Sequence, residues 1–510
     1  MSTTPERPDE AALAPAHSSP HRTQEVPQPR VPSDLRAEAP LLNGYLSFKE
    51  SNPTPFTTPG HKGRAWKLDR DLAKVLEGDV PLYGGVDTVK SALGLLAAAQ
   101  ERSAKWYGAD WCRYSAGGST HTNQALCLAI GRPGDKVVVT RSLHRSLLLG
   151  MVLADLEPCW LPTRIDPGTD MPMGVAVEDV ERTLHENPDA RAVLVTEPGY
   201  LGTLSDLGPI IEVAHNYGVP VIVDQAWGAH FGYHPDLPPH AMALGADAMV
   251  TSIHKLLPGY TQASLVCART LRLDPDRLDR GFEAGNTTSA AGSVLASIDG
   301  CRALMEARGH ELLEGVIANI GRARKRLRDE LPGLGVPDER SFPPGRFDTT
   351  RLVLLLSGVG ANGVEVERRL IEQGIPLELA DRDTIVAIVS VADDESTLDR
   401  LVSALIPAIR ATSGPPRPPC VALSWDVKPV YAMSPRAAFF SAHESLPADL
   451  AVGRVSAELI APYPPGIPVL APGELVTEAL LAGLRAVAAD GVRVAYAADP
   501  SLSTLEVVRA

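Results

Sequence analysis

The chain has 510 residues, of which 44% are hydrophobic and 22% are charged, a balance typical of globular proteins. Its 48 basic and 62 acidic side chains give a formal net charge of −14, without a basic stripe, so we expect no nucleic acid partner. No apolar run is long enough to cross a bilayer and the N-terminus does not resemble a secretory signal, so we expect a cytoplasmic protein with no membrane partner. The six cysteines are scattered without metal-ligand spacing, which predicts reduced thiols and no metal site.

The composition along the chain predicts a tail and three domains. Residues 1–40 are rich in Pro, Ala, Ser and Glu and lack a hydrophobic period, which predicts a disordered tail. An N-terminal segment and a large domain follow over residues 41–300. A charged helical stretch then opens a small α/β domain over 301–413, and the Pro-rich segment 414-GPPRPP-419 precedes a C-terminal domain over 414–510.

Short apolar, β-branched runs alternate with helical stretches between about residues 95 and 300. This alternation predicts βαβ units and a largely parallel sheet. Because ligands of open α/β sheets bind beyond the carboxyl ends of the strands, we expect functional side chains near positions 140, 196, 224 and 252. The runs are 137–140, 192–196, 219–224, 248–252 and 264–268, and later runs at 351–357 and 384–390 predict strands of the small domain.

Two of these strand ends carry a distinctive pair of side chains. One ends in Asp224, and about thirty residues later another leads into Ser252, His254 and Lys255. A lysine at a strand end can form a Schiff base, and a carboxylate on a neighbouring strand can keep a pyridinium nitrogen protonated. These are the two requirements of pyridoxal 5'-phosphate. The plainer alternative for an isolated S-x-H-K sequence is a solvated loop lysine with a helix-capping aspartate.

Two further segments fit a phosphorylated, planar cofactor. Gly118, Ser119 and Thr120 form a Gly-rich turn before a helical run, where backbone N–H groups and the positive helix end can receive a phosphate. His144 follows the strand at 137–140 and is placed to lie over a ring at the edge of the sheet. Each segment alone is more typical of ordinary loop structure.

Taken together, these motifs resemble the bacterial ornithine/lysine/arginine decarboxylases, which are fold type I pyridoxal-phosphate enzymes. The resemblance covers about residues 55–500 and rests on ten blocks in the same order. The blocks are 58-TPGHKG-63, 118-GST-120, 133-PGDKV-137, 141-RSLHRS-146, 224-DQAWGAHFGYHPDLP-238, 252-SIHKLLPGYTQAS-264, 287-TTS-289, 295-LASID-299, 433-MSPRAAFF-440 and 452-VGRVSAELIAPYPPGIPVLAPGE-474.

The resemblance implies an α/β fold with a mainly parallel sheet in a transferase-like large domain, a smaller α/β domain and a decarboxylase-type C-terminal domain. It also implies a homodimer or higher homo-oligomer in which Thr288 and Ser289 reach the cofactor phosphate of the partner. The implied catalytic residues are Lys255 as the Schiff-base lysine, Asp224 at the ring nitrogen, His144 stacked on the ring, and His254. The implied cofactor-binding residues add Gly118, Ser119, Thr120, Ala226 and Ser252.

The activity that the resemblance implies is decarboxylation of a basic amino acid, with arginine or lysine ahead of ornithine, to an amine used in polyamine synthesis. It would proceed through the Schiff base on Lys255 and a quinonoid intermediate, with His254 or the freed Lys255 as proton donor to Cα. A dibasic substrate calls for carboxylates at the far end of the pocket. The candidates are Glu378, Asp381 and Glu474.

Several departures from the family pattern leave the substrate open. Where the family usually has D-E-A-H-G, this chain has Gln225 and Trp227, although some members also carry tryptophan there. Thr88 and Lys90 replace an acid and a histidine of the family pattern. Other departures are His121 in place of a small residue, Gly199 in a P-T-Y pattern and 290-AAG-292 after the hydroxyl motif.

Three other functions remain as alternatives. The same cofactor residues would serve an aminotransferase or a lyase, because they do not dictate which bond breaks. A catalytically silent, regulatory paralogue is the second alternative. The third is binding of a nicotinamide dinucleotide, because 358-GVGANG-363 fits G-x-G-x-x-G and Glu378 follows about twenty residues later. That function needs a parallel βαβ unit around the turn.

Overall fold

The structure is a computed structural model, and it describes residues 35–80, 82, 94–419, 428–463, 466–489 and 492–509. The departures at Thr88 and Lys90, the cysteine at position 420 and residues 1–34 of the expected tail lie outside the described residues. The five described cysteines form no disulfide. No helix among the described residues has the length and apolar character needed to span a membrane.

The helices are interleaved with the strands over the whole described chain. They are α1 (Leu35–Glu38), α2 (Pro40–Glu50), α3 (Arg70–Leu76), α4 (Leu95–Tyr107), α5 (Gly118–Ile130), α6 (Arg145–Ala154), α7 (Val177–Glu186), α8 (Leu207–Asn216), α9 (Ile253–Leu256), α10 (Pro275–Gly285), α11 (Gly292–Glu330), α12 (Gly363–Ile371), α13 (Glu395–Thr412), α14 (Pro435–Phe440), α15 (Ala448–Ala451) and α16 (Glu478–Ala489). The strands are β1 (Trp111–Ser115), β2 (Lys136–Thr140), β3 (Glu157–Leu161), β4 (Val193–Thr196), β5 (Val221–Asp224), β6 (Ala248–Ser252), β7 (Ser264–Ala268), β8 (Arg351–Leu355), β9 (Leu379–Ala380), β10 (Thr384–Ile388), β11 (His443–Pro447), β12 (Ala461–Tyr463), β13 (Arg493–Ala495) and β14 (Thr504–Val508).

A seven-stranded sheet in the order β1-β7-β6-β5-β4-β2-β3 forms the centre of the large domain. Strand β7 is antiparallel to both of its neighbours, and the remaining pairs are parallel, which confirms the expected mainly parallel sheet. Successive side chains alternate between two apolar layers: Val221 and Val223 face α7, α8 and α11, whereas Ile222 faces α5, α6 and α10. Both faces of the sheet are therefore covered, as is usual for parallel strands.

Each predicted strand is present, but β1 and β3 were not predicted. Their sequences, WCRYS and EPCWL, interrupt the apolar pattern with Arg113 and Pro158. Strand β3 lies at one edge of the sheet, where partly exposed positions accept polar residues and proline. The continuous apolar runs that marked the central strands are therefore absent at the two edges.

The expected disorder of the tail is wrong for residues 35–40. Helix α1 and the start of α2 occupy this segment, and Ala39 and Leu41 are fully buried. The backbone N–H of Leu41 donates to Asp299 Oδ2 at 2.8 Å, which fixes the segment on α11. This order comes from a contact with a residue about 260 positions away, so the local composition gave no sign of it.

The predicted boundary at residue 300 falls inside a single helix. Helix α11 has 39 residues; its first part, with Leu295 and Met305, packs in the large-domain core. Its last part, with Ile320 and Leu327, packs in the core of the small domain. The two domains are thus joined by a continuous helix rather than by a linker.

The small domain contains an antiparallel sheet in the order β8-β10-β9, packed with α12 and α13. Since β8 and β10 run antiparallel, the 358–363 turn has no parallel βαβ unit around it, and the dinucleotide-binding alternative is wrong. Packing explains the glycine at position 363, because a Cβ there would lie 2.2 Å from the carbonyl oxygen of Asp381.

The C-terminal domain contacts the large domain through a buried ion pair. Arg141, directly after β2, donates to both carboxylate oxygens of Glu474 at 2.6 and 2.9 Å and to the carbonyl oxygen of Pro468 at 2.7 Å. The guanidinium also lies 4.5 Å from the centre of the Trp160 ring. Breaking a buried pair leaves one charge uncompensated, which makes this contact a strong determinant of domain docking.

We expect Glu474→Gln to lower the free energy of unfolding by about 3 kcal/mol, because Arg141 would keep a buried, unpaired charge. Thermal unfolding followed by circular dichroism measures the change. The control is Glu444→Gln, which removes a partly exposed pair with Arg454 in the same domain and should change stability by less than ~1 kcal/mol. Equal effects of the two variants would contradict the docking role.

The contact between α5 and α10 depends on a glycine. A Cβ at Gly281 would lie 2.4 Å from the carbonyl oxygen of Ala125, which is backbone and has no freedom to move aside. We expect Gly281→Ala to destabilise the protein by about 1–3 kcal/mol through overpacking. Gly315→Ala in α11 is the matched control, because its Cβ meets nothing within 4 Å, and this change should stabilise the helix slightly. Urea titration of both variants measures the two changes in the free energy of unfolding, which should have opposite signs.

Candidate active site

A cavity of about 480 Å³ lies beyond the carboxyl ends of the central strands. Three of the four strand-end positions expected to carry function line it, namely Thr196, Asp224 and Ser252. Thr140 does not line it; its hydroxyl contacts that of Ser142, which does. The structure also places at the cavity wall nine of the sequence-predicted site residues: Gly118, Ser119, Thr120, His144, Asp224, Ala226, Ser252, His254 and Lys255.

Asp224 is the last residue of β5 and is almost completely buried. Its carboxylate accepts hydrogen bonds from Asn123 Nδ2 at 2.8 Å and from the backbone N–H of Ala226 at 3.2 Å. Asn123 also donates to Ser146 Oγ at 3.0 Å, and Ser146 Oγ lies 2.8 Å from His144 Nδ1. A chain of hydrogen bonds therefore connects the carboxylate of Asp224 to the imidazole of His144.

His144 is held at the start of α6 with its ring exposed at the cavity wall. Its Nδ1 accepts from the backbone N–H of Ser146, so that the side chain caps the helix. In the neutral ring the proton therefore lies on Nε2. An imidazole fixed in this way presents a defined ring orientation to the cavity.

The N-terminus of α5 forms another part of the wall. Gly118 has a left-handed φ of +68°, which opens the turn into the helix, and no described side chain caps this helix end. The hydroxyl of Ser119 lies 2.7 Å from that of Ser252 and 3.2 Å from that of Ser264. Free N–H groups, a positive helix end and clustered hydroxyls are the donors that bind a phosphate.

Lys255 lies in the short helix α9, directly after β6. Its Nζ lies 3.8 Å from the centre of the Trp227 ring. Burial lowers the pKa of Lys255 to about 8; Asp224 opposes this shift and Arg351 adds to it. Near neutral pH a larger fraction of the amine is therefore uncharged and nucleophilic than for an exposed lysine.

His254 is partly buried beside Lys255. Its Nδ1 donates to the carbonyl oxygen of Ala263 at 3.0 Å. This bond leaves the other ring nitrogen, Nε2, without the proton in the neutral ring. Burial lowers the pKa of His254, which favours the neutral ring. A neutral imidazole can accept a proton and return it.

The described residues fit pyridoxal phosphate. The amine of Lys255 and the carboxylate of Asp224 line the same cavity as the uncapped N-terminus of α5. These are the groups that the cofactor needs for covalent attachment, for the ring nitrogen and for the phosphate. No part of this set is missing from the cavity.

The three acidic residues expected at the far end of the pocket have different environments. Glu378 lines the cavity, and its Oε1 accepts a hydrogen bond from the Tyr200 hydroxyl at 2.8 Å. Asp381 does not line it, because its carboxylate accepts the backbone N–H groups of Asp383 and Thr384. Glu474 is occupied by its ion pair with Arg141. Of these candidates only Glu378 can meet a substrate in this cavity.

Other predicted residues lie outside the cavity. Thr288 and Ser289 are exposed and do not line the cavity of their own chain, so their role toward a partner's phosphate stays a prediction. His121 is buried, with Nδ1 2.8 Å from Ser115 Oγ and Nε2 2.8 Å from the carbonyl oxygen of Phe282. This histidine therefore has a structural role near the start of α5.

Sequence reasoning missed several residues of the site. Asn123, which holds Asp224, lies one helical turn beyond the Gly-rich segment and carried no signal of its own. Tyr463 and Tyr496 come from the C-terminal domain, and Tyr496 lies 4.7 Å from the guanidinium carbon of Arg145. Only the four-residue spacing from Ser119 to Asn123 could have indicated that one helix face serves both the phosphate and the carboxylate.

The chain is similar to known amino-acid decarboxylases. The family model described as "Orn/Lys/Arg decarboxylase, major domain" matches residues 39–336, and the model of the C-terminal domain of the same family matches residues 420–490. An arginine decarboxylase of Halalkalibacterium halodurans is 33% identical over 482 residues, covering 92% of this chain and 98% of the relative. An arginine decarboxylase of Bacillus subtilis is 33% identical, covering 86% of this chain and 92% of the relative.

More distant relatives include lysine decarboxylases. The inducible lysine decarboxylase of Escherichia coli is 22% identical, over 86% of this chain and 75% of its own length. The crystal structure of a Francisella novicida lysine decarboxylase covers 92% of this chain and 81% of that chain, with a TM-score of 0.80 and 20% identity, which shows a shared fold. The chain therefore belongs to the Orn/Lys/Arg decarboxylase family, whose members are pyridoxal-phosphate-dependent amino-acid decarboxylases.

Proposed function

We propose that this protein decarboxylates arginine, with lysine as the next candidate. The observation that carries the proposal is the presence of the Lys255 amine and the Asp224 carboxylate in one cavity at the carboxyl edge of the sheet. The names of the relatives at 33% identity favour arginine over lysine. An aminotransferase, a lyase or a silent paralogue would share the cofactor residues, and the experiments below distinguish them.

Different residues of the cavity have different roles toward the cofactor. Pyridoxal phosphate, when bound, supplies an electron sink for the pair released as the bond between Cα and the carboxylate breaks. Lys255 would supply the amine that attaches the cofactor, and Asp224 would hold a proton at the ring nitrogen. Ser119, Thr120 and Ser252 bind the phosphate together with the N-terminus of α5.

A proton has to be delivered to Cα where carbon dioxide leaves. Lys255 Nζ and His254 Nε2 are the two groups of the cavity placed to hold it. Trp227 and Tyr200 form an aromatic wall, with ring centroids 5.3 Å apart in an edge-to-face arrangement. This aromatic wall would exclude water from the reacting end of the cavity.

The far end of the substrate requires an anionic partner. Of the described residues that line the cavity, the acidic ones are Asp224 and Glu378, and Asp224 is engaged deep in the site. Glu378 is therefore our candidate for the guanidinium group of arginine. Tyr200, Tyr463 and Tyr496 add aromatic faces, on which a planar guanidinium stacks well.

The oligomeric state and the cellular location of the enzyme are also part of the proposal. We infer a homodimer or a higher homo-oligomer in which Thr288 and Ser289 reach the partner's cofactor phosphate. Both residues are exposed near the start of α11, where a second chain could meet them. A cytoplasmic location stays a prediction.

We expect the purified holoenzyme to release labelled carbon dioxide from carboxyl-labelled arginine, more slowly from lysine and slowest from ornithine. Lys255→Ala should abolish release, because no other lysine among the described residues lines the cavity. Mass spectrometry of the products identifies amino transfer or side-chain cleavage if either occurs. Release from none of the three substrates would overturn the proposal, and a colourless protein in the presence of the cofactor would favour a silent paralogue.

We expect Glu378→Gln to raise KM for arginine about ten- to a hundredfold, because it removes a charge-assisted hydrogen bond, with a smaller change in kcat. Turnover of citrulline, whose side chain is uncharged, should change little. The matched control is Glu372→Gln, which alters an exposed residue of the same domain paired with Arg368. An unchanged KM for arginine would remove Glu378 from substrate recognition.

A further inference from the structure

Two cationic side chains share the indole ring of Trp227. The Nζ of Lys255 lies 3.8 Å from the ring centre, and the guanidinium carbon of Arg351 lies 4.4 Å from it. Arg351 is the first residue of β8 and therefore comes from the small domain, whereas Lys255 and Trp227 come from the large one. The small domain thus places a positive charge against the ring that contacts the reactive lysine.

The charge of Arg351 is only weakly neutralised. The side chain is fully buried, and its Nε lies 3.9 Å from Asp348 Oδ2. Its Nη2 lies 3.4 Å from the carbonyl oxygen of Trp227, whereas Nε and Nη1 have no hydrogen-bond partner among the described residues. The other oxygen of Asp348 accepts hydrogen bonds from Thr350 and His230. Because the ion pair is long and two guanidinium nitrogens have no hydrogen-bond partner among the described residues, the charge of Arg351 acts on neighbouring ionisable groups.

Arg351 also supports the loop around the cavity. A Cβ at Gly202 would lie 2.6 Å from Arg351 Cγ, so the arginine stem packs directly on the loop that carries Tyr200. Gly202 has a φ of +93°, which other residues rarely adopt. The position of Arg351 is therefore fixed by packing as well as by its contact with the indole.

A guanidinium keeps its proton at any physiological pH, whereas an ammonium group can lose one. The face of the indole attracts an ammonium group, whereas the buried guanidinium of Arg351 at the same ring repels a positive charge on Lys255. Burial and Arg351 both lower the pKa of Lys255, and the carboxylates of Asp224 and Glu378 oppose them. Within the described part of the chain, the imidazoles of His144 and His254 also lie near this amine.

We propose that Arg351 is a positioning residue that holds the indole of Trp227 against Lys255 and increases the fraction of the lysine amine that is uncharged and nucleophilic. This inference rests on the proposed role of Lys255 as the cofactor lysine. It gives a function to Trp227, the residue that departs from the family's usual histidine. It also makes the reactivity of the lysine depend on the docking of the small domain.

The test measures the protonation of Lys255 directly. The full-length chain is freed of cofactor and labelled with trace acetic anhydride over a range of pH, and the acetylation of Lys255 is quantified by mass spectrometry. In the unchanged protein we expect a midpoint near pH 8. In Arg351→Met the midpoint should rise by about one pH unit, because a neighbouring positive charge that disfavours the ammonium form is gone.

Arg351→Lys keeps the charge, so its midpoint should stay close to that of the unchanged protein. Arg417→Gln is the matched control, because it removes a positive charge from the segment that follows the small domain, where Arg417 pairs with Asp383. Its midpoint should not move. Arg351→Gln gives a second neutral replacement if the methionine variant does not fold.

A merely structural role of Arg351 would lower stability without raising the midpoint. An unchanged or lowered midpoint in a folded, neutral variant would overturn the proposal. Because labelling does not depend on turnover, this result is independent of which amino acid the enzyme decarboxylates. Failure of the proposed function would appear in the carbon dioxide assay instead.

Discussion

The site depends on the parallel pairing of β5 with β6, which brings Asp224 and Lys255 to the same edge of the sheet. Asp224 pairs in register with Val250, two residues before the end of β6, and Lys255 lies in the short helix α9 that follows this strand. Parallel neighbours end on the same side, so a carboxylate and an amine separated by thirty residues meet in one cavity. A shift of one residue in this register would turn Asp224 to the opposite face of the sheet.

The protein surrounds this pair with contributions from three domains. The large domain provides the N-terminus of α5, Asn123 and His144. The small domain provides Glu378 on one side of the cavity and Arg351 behind Trp227. The C-terminal domain provides Tyr463 and Tyr496, and the Arg141–Glu474 pair fixes its docking. The chemistry of the lysine is therefore sensitive to how the domains are assembled, which is consistent with a reaction that needs water excluded.

Much of the fold could be predicted because the central strands are buried on both faces and read as continuous apolar runs. Strands β1 and β3 could not, since their edge positions accept Arg113 and Pro158. The order of residues 35–40 also escaped prediction, because it depends on a hydrogen bond from Leu41 to Asp299. Asn123 and Arg351 carry no motif, and their importance arises from groups that are distant in the sequence.

The sequence by itself determined the kind of chemistry: a lysine after one strand, an aspartate at the end of another and a Gly-rich helix start are local features with fixed chemical meaning. Only the tertiary structure decided which of Glu378, Asp381 and Glu474 faces the cavity, and that Arg351 lies against Trp227. The physical reason is that burial and electrostatic coupling depend on distances through space. Those distances are set by domain packing, and the spacing of residues along the chain does not encode them.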